Sequence, residues 1–309
     1  MTDAVAAIVL QPSKRRGTWA RAWSRLRRNP MGLTGAVLVG LVVATAILCP
    51  LLAPYAPNDQ SAMMGYGASK PPALAHLLGT DRLGYDVLTR VLYGAPTALA
   101  VGLGAMALAT SIGVLVGGLS GYLGGRWDEG LMRLTELFMV MPVFLVILAV
   151  VRLFGIVVIG TWMERIPHLS LITIILLLGM FGWPAIARLT RAEFLRLRHA
   201  EFVEAARCIG ATTPDIVWRH ILPNAMPSII VAIALGIGGA VLTEAMISFL
   251  GFGDPNAVSW GQLIFFNYET LKIAPWSSLS PGVAIFVTVL GFNLLADGLS
   301  DAFNPRRRA

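Results

Sequence analysis

The sequence predicts an all-α, polytopic membrane protein with six transmembrane helices. Three observations carry that reading. First, only 13% of the 309 residues are charged, about half of the quarter usual in soluble domains. Second, 56% are hydrophobic and mean hydropathy is +0.71, too apolar to build a polar skin. Third, the apolar residues gather in runs of about 20, the length that crosses a hydrocarbon core of about 30 Å. Most soluble enzymes and any disordered chain are excluded.

The first run, Leu33 to Ala53, follows a basic segment over 1–32 and stops before Pro54 and Pro57. It exceeds the roughly 7–15 residues of a secretory h-region and reads as an uncleaved anchor. Within 1–32, Trp19, Trp23 and Leu26 recur at helical spacing, with Arg21, Arg25, Arg27 and Arg28 on other faces. That pattern suits a helix lying in the headgroup region; a disordered basic tail that only enforces orientation is the alternative. Segment 54–96 is a long connector in which Gly79-Thr80-Asp81 can start a helix, with Leu88, Val91 and Leu92 as an apolar stripe beside Asp86 and Arg90. Five more spans are expected at 97–119, 131–154, 169–187, 225–250 and 281–299. In lipid each must satisfy its own backbone, which makes them helices. Residues 251–280 hold Trp260, Phe265, Phe266, Tyr268 and Trp276, either an interfacial aromatic belt or a re-entrant lip at the mouth of a pathway.

Net charge is +7, from 24 Lys and Arg against 17 Asp and Glu. A basic balance can mean nucleic acid, but in an apolar chain it reads as the cation excess of cytoplasmic loops. With both termini inside, 18 cations fall on the cytoplasmic side and six outside, which sets the expected topology. The two cysteines, Cys49 and Cys208, make neither a disulfide framework nor a metal site, and no cofactor is expected on this chain. No Gly-Lys dipeptide occurs, so the phosphate loop of an ATPase is missing.

The longest interior segment, 188–224, carries the mechanism. Phe202, Ala205, Ala206 and Ile209 fall on one helical face among charged residues. Gly210 can end that helix in the left-handed conformation. Thr213-Pro214-Asp215 then supplies a cap hydroxyl, a proline where no amide is needed, and an acid at the positive helix end. This helix–turn–helix elbow, tied to two spans, suits docking into a groove on another protein. A surface helix covering the bundle's own loops is the other reading of its amphipathicity.

The spacing Glu204-Ala205-Ala206, Gly210, Ile221-Leu222-Pro223 resembles the EAA coupling loop of ABC-importer permeases. Family members often place one residue between Ile and Leu-Pro; the adjacency here looks like the peptide-importer branch. Leu78-Gly79-Thr80-Asp81-Arg82-Leu83-Gly84-Tyr85-Asp86 through Arg90 resembles the periplasmic signature of dipeptide, oligopeptide and nickel permeases, with Tyr85 where Arg is commoner. Gly121-Tyr122-Leu123-Gly124-Gly125 with Asp128 and Pro142, Ser248-Phe249-Leu250-Gly251, Ser259-Trp260-Gly261 and Phe292-Asn293-Leu294-Leu295 extend the likeness along the chain. The resemblance implies a type I ABC-importer permease fold with its core over about 97–299, in a bacterial cytoplasmic membrane. It also implies a C-type subunit paired with a B-type permease, two ATP-binding-cassette ATPase domains holding ATP and Mg, an extracytoplasmic solute-binding protein and a short peptide as cargo. By the same resemblance Glu204, Ala205, Ala206, Gly210, Ile221, Leu222 and Pro223 couple to the ATPase, and Phe202 and Ile209 lie on the face that docks.

Glu136, Glu244, Asp297 and Arg152 lie in or beside apolar runs, where an ionisable group is a functional candidate; pairing or solvation is the alternative for each. Nickel or another small solute remains an alternative cargo. An ion-coupled carrier or a non-transport scaffold would be different classes, the former expected to show inverted repeats and central ionisable groups.

Overall fold

A computed structural model describes residues 23–60, 65–158 and 161–303. Trp19, Arg21 and the basic tail at 306–308 lie outside the described residues. Nine α-helices of eight residues or more organise the described chain: α1 Pro30–Leu52, α2 Val87–Leu123, α3 Gly125–Val140, α4 Val143–Val158, α5 Leu169–Leu197, α6 Glu201–Cys208, α7 Leu222–Ile247, α8 Trp260–Asn267 and α9 Pro275–Phe303. Among the described residues five helical stretches are long and apolar enough to cross a membrane, and the bent pair α3–α4 makes a sixth if it crosses as one unit.

Cap chemistry sets several of the ends. The Asn29 side chain accepts from the Met31 and Gly32 amides, and Pro30 follows at the first helical position, where its missing N–H costs nothing. Asp86 caps α2 by accepting from the Thr89 amide at 2.8 Å. The helix therefore starts at Val87, not at Gly79-Thr80-Asp81 as the sequence suggests. Asp81 instead caps a turn, its Oδ1 accepting from the Leu83 and Tyr85 amides at 2.9 and 2.8 Å. Burial pushes the Asp81 carboxyl above the ordinary carboxylate value, while the Tyr85 amide and the Arg90 guanidinium draw it back. At 37 residues α2 is about 55 Å long, so it rises well past a hydrocarbon core.

The run expected as one straight third span is two helices meeting at 75°. Pro142 is the cause. It has no N–H to give the ladder, and its ring forces Met141 into extended backbone at φ −67° and ψ 137°.

Close packing rests on small residues. On α2, Gly113, Gly117 and Gly121 are four residues apart and face α5, where an added Cβ would strike the Trp183 carbonyl and Ile186, the Ala187 carbonyl and the Arg191 carbonyl. Such spacing lets helix backbones touch in a membrane. Trp260 belongs to the core rather than to an interfacial belt: it is buried, and its indole N–H donates to the Val91 carbonyl at 2.8 Å. The connector before α2 docks on the same end of the bundle. Trp276 donates to the Thr80 carbonyl at 3.2 Å, and Arg82 pairs with Glu269 at 2.7 Å. Beneath it His76 and Asp86 pair at 3.0 Å, with Tyr55 and Tyr66 against the imidazole.

At the other end the start of the chain's described part packs on α9. Leu26 is buried against Ala302, Arg25 donates to the Ala302 carbonyl and Asn29 to Asp301. Trp23 stays exposed with the Arg27 guanidinium stacked on its ring.

Candidate functional site: the elbow between α5 and α7

Helix α6 is short, and its first turn carries Glu201 and Glu204, which complement the positive end of a helix whose cap residue, Ala200, offers no side-chain acceptor. It ends in a two-bond cap. The Ala211 amide donates to the Ala206 carbonyl and the Gly210 amide to the Arg207 carbonyl, both at 3.0 Å. That pattern needs a left-handed residue, and Gly210 has φ +84°. An added Cβ at Gly210 would meet no atom within 4 Å, so the demand there is on the backbone alone.

The restart is capped one residue earlier than the sequence suggests. Thr212, not Thr213, is the cap: its hydroxyl donates to the Asp215 carboxylate at 2.6 Å and accepts from the Asp215 amide at 3.5 Å. A π-helical turn, Ile216–Ile221, then feeds α7, with the Leu222 amide bonding five residues back to the Val217 carbonyl. The slip has a chemical reason. Pro223 has no N–H for the Arg219 carbonyl, so the ladder cannot continue in α register through it. The Asn224 side chain donates to the His220 carbonyl at 2.6 Å.

The elbow has two faces. Inward, Val203, Ala206, Ile216 and Ile221 form one buried cluster with Phe194 and Leu197 of α5 and Ala225 and Ile229 of α7. Outward, Ile209 is 86% exposed and Phe202 40%, with Ala205 and Glu204 also exposed. The single apolar face expected from the sequence is therefore split. Ala206 turns inward beside Val203, because the helix seats through positions 203 and 206, while Phe202, Ala205 and Ile209 point away. Leu222 is half-buried and Pro223 exposed. Trp218, 67% exposed on the π turn, joins the outward surface. Sequence reasoning missed it, although a lone aromatic between Val217 and Arg219 in a polar segment is a readable signal.

The base of the elbow is held by charge. Arg191 on α5 takes Asp128 at the start of α3 in a bidentate pair, at 2.5 and 2.7 Å, and Ser120 on α2 donates to the same carboxylate. Arg198 donates to the Gly121 carbonyl. Glu193 accepts from Ser228 on α7 at 2.6 Å and from Arg196. These bonds tie the base of the elbow to α2, α3 and α7.

The ionisable residues of the apolar runs separate. Arg133 and Glu136 pair at 3.3 Å on the surface, Asp297 and Arg152 are exposed, and Glu244 is buried, accepting from the Ser248 hydroxyl at 2.6 Å. Among the described residues no group of three or more His, Cys, Asp or Glu side chains is placed to hold a metal ion.

The described residues thus form a bundle of helices long and apolar enough to span a membrane, with an elbow packed between α5 and α7. The chain belongs to the binding-protein-dependent transport system inner membrane component family, which matches residues 113–309. Residues 17–72 also match the N-terminal TM domain of oligopeptide transport permease C. The oligopeptide transport system permease protein OppC of Bacillus subtilis (strain 168) is 35% identical over 291 residues, 94% of this chain and 90% of that protein. The glutathione transport system permease protein GsiD of Escherichia coli O157:H7 is 37% identical over 300 residues, 96% and 94% of the two chains. A chain of the inward-facing MetNI methionine ABC transporter superposes with a TM-score of 0.53 at 22% identity, covering 71% of this chain and 96% of that one, a likeness of fold. This is a multi-pass inner-membrane protein, the permease subunit of an ABC importer.

Proposed function

We propose that this chain forms half of the translocation pathway for short peptides and has no catalytic step of its own. Its elbow lies in the cytoplasm with both termini, as the 18-to-six distribution of cations favours. It pairs with a B-type permease, and each of the two elbows seats in one ATP-binding-cassette ATPase domain that holds ATP and Mg. An extracytoplasmic binding protein delivers the cargo. Closure of the ATPases draws the elbows together and switches access of the pathway; hydrolysis resets it. Glu204 and Ala205 meet the ATPase beside Phe202 and Ile209. Gly210 shapes the turn. Ala206 and Ile221 key the elbow to α5 and α7, and Leu222-Pro223 fix the re-entry into the membrane.

One observation carries the reading: the elbow is bolted to its own bundle on one face and leaves large apolar side chains in the open on the other. Peptide cargo is supported by the relatives' substrates, oligopeptides and glutathione, which are both short peptides. The test is co-purification of the chain with the partner permease, ATPases and binding protein from its own organism, followed by ATP turnover against a panel of solutes. Stimulation by di- to oligopeptides is expected; stimulation by nickel or another small solute alone would replace the cargo, and solute flux without ATPases would overturn the class.

A further inference from the structure

Helices α1 and α9 pack along each other. At the elbow end they meet backbone to backbone: Gly32 lies on Gly298, Gly35 on the Leu294–Leu295 peptide, and Gly291 against Leu38 and Val39. Further along, the glycines no longer face the partner helix, and an added Cβ at Gly40 or Gly282 would meet nothing within 4 Å. On that side residues of α1, α2, α8 and α9 line a groove of about 450 Å³. Its floor is Val42 of α1, Ala95 of α2 and Trp260 of α8, all buried, and its rims are Leu41 and Val283, both exposed. Leu78 of the connector also lines it.

The chemistry of the groove selects its occupant. No charged side chain lines it; its hydroxyls are those of Thr45, Ser280 and Thr288, the last given to the Ala284 carbonyl at 2.8 Å, and the rest of the lining is apolar. An irregular peptide would lose its backbone hydrogen bonds in so apolar a place. The groove opens along the flanks of two helices apolar enough to span a membrane, and its rim continues into the exposed Leu48 and Leu51 of α1. With those two helices across a bilayer, the groove opens toward hydrocarbon. Its volume lies within the roughly 300–1,000 Å³ of small-molecule sites. We propose that it binds one acyl chain of a phospholipid from the leaflet on the side away from the elbow. The chain would lie against Trp260, whose bond to Val91 joins α8 to α2. This rests only on the helices being in a membrane and is independent of cargo.

The full-length protein in nanodiscs of phosphatidylethanolamine and phosphatidylglycerol, with a trace of phosphatidylglycerol bearing an acyl-chain diazirine, tests it. After photolysis, peptide mapping is expected to place adducts on residues 41–45 and 279–288 several-fold above those at Leu115 and Leu119, an exposed face of α2. Val283→Trp and Ala284→Phe, which fill the groove from two positions, are expected to cut that labelling several-fold, and Ile47→Trp, outside the groove, to leave it unchanged. Labelling no higher than on the α2 face, labelling unmoved by both filling variants, or cross-linking of Val283→Cys to another protein chain in place of lipid would each overturn the proposal.

Discussion

Arg191 holds Asp128 through two parallel bonds, Nε to Oδ1 at 2.5 Å and Nη2 to Oδ2 at 2.7 Å. The pair fastens the last turns of α5, from which the elbow hangs, to the first turn of α3. Hydrogen bonds to a charged partner contribute about 1.5–3 kcal/mol. Arg191→Ala is expected to destabilise the bundle by about 2 kcal/mol, and Arg191→Lys, which keeps charge but not the fork, to recover only part of it. Thermal unfolding in detergent measures both; a Tm unchanged in Arg191→Ala would remove the clamp from the account.

Gly117 has no room for a side chain, because the Ala187 carbonyl lies where a Cβ would go. Gly117→Leu must push α2 away from α5 and is expected to lower the yield of folded, monodisperse protein severely. Gly130, where an added Cβ meets nothing within 4 Å, is the matched control, and Gly130→Leu should fold. Equal yields for the two variants would contradict the close helix contact.

Gly210 separates backbone from side-chain effects. Its left-handed φ costs a β-branched residue about 1–3 kcal/mol, whereas Asn tolerates it. Gly210→Val is expected to insert and assemble yet lose coupled peptide uptake, with Gly210→Asn keeping most of it. Full uptake by the valine variant would show that the turn plays no part in coupling.

Cys208 is exposed on the elbow, whereas Cys49 is buried. The isolated subunit is expected to react with a maleimide at Cys208 alone. Assembly with the ATPases should slow that reaction at least several-fold. Equal rates in the free and assembled states would place Cys208 outside the covered surface.

The apolar runs of the spans were legible because a bilayer permits so few solutions: 20 apolar residues must be helical. The basic continuation of α5 over Arg188–Leu197 was legible too, but other helix ends were not, since α2 and α9 run past their apolar spans, from Val87 and from Pro275 to Phe303. Pro142 carried the signal of the break inside an apolar run, and the run's hydrophobicity concealed it. Gly113, Gly117 and Gly121 stood at readable spacing, but spacing alone does not name the helix they meet. The elbow was legible as helix, glycine turn and second helix. Which side of an eight-residue helix turns inward was not, because one residue of register moves Ala206 from one face to the other; only the cluster of Val203 with Phe194 and Leu197 decides it. The π turn follows from Pro223, yet its five-residue register appears only with the backbone in place.

Site-specific cross-linking of the elbow tests the central claim most directly. Ile209→Cys in a Cys208→Ser background, co-expressed with the ATPases bearing single cysteines along the groove that faces the membrane, should form a disulfide-length cross-link whose yield changes between ATP-bound and nucleotide-free states. Cross-linking should also stop peptide-stimulated ATP turnover, and reduction should restore it. An Ile209→Cys that stays freely reactive in the assembled, transporting complex and links to no ATPase position in either state would contradict the claim.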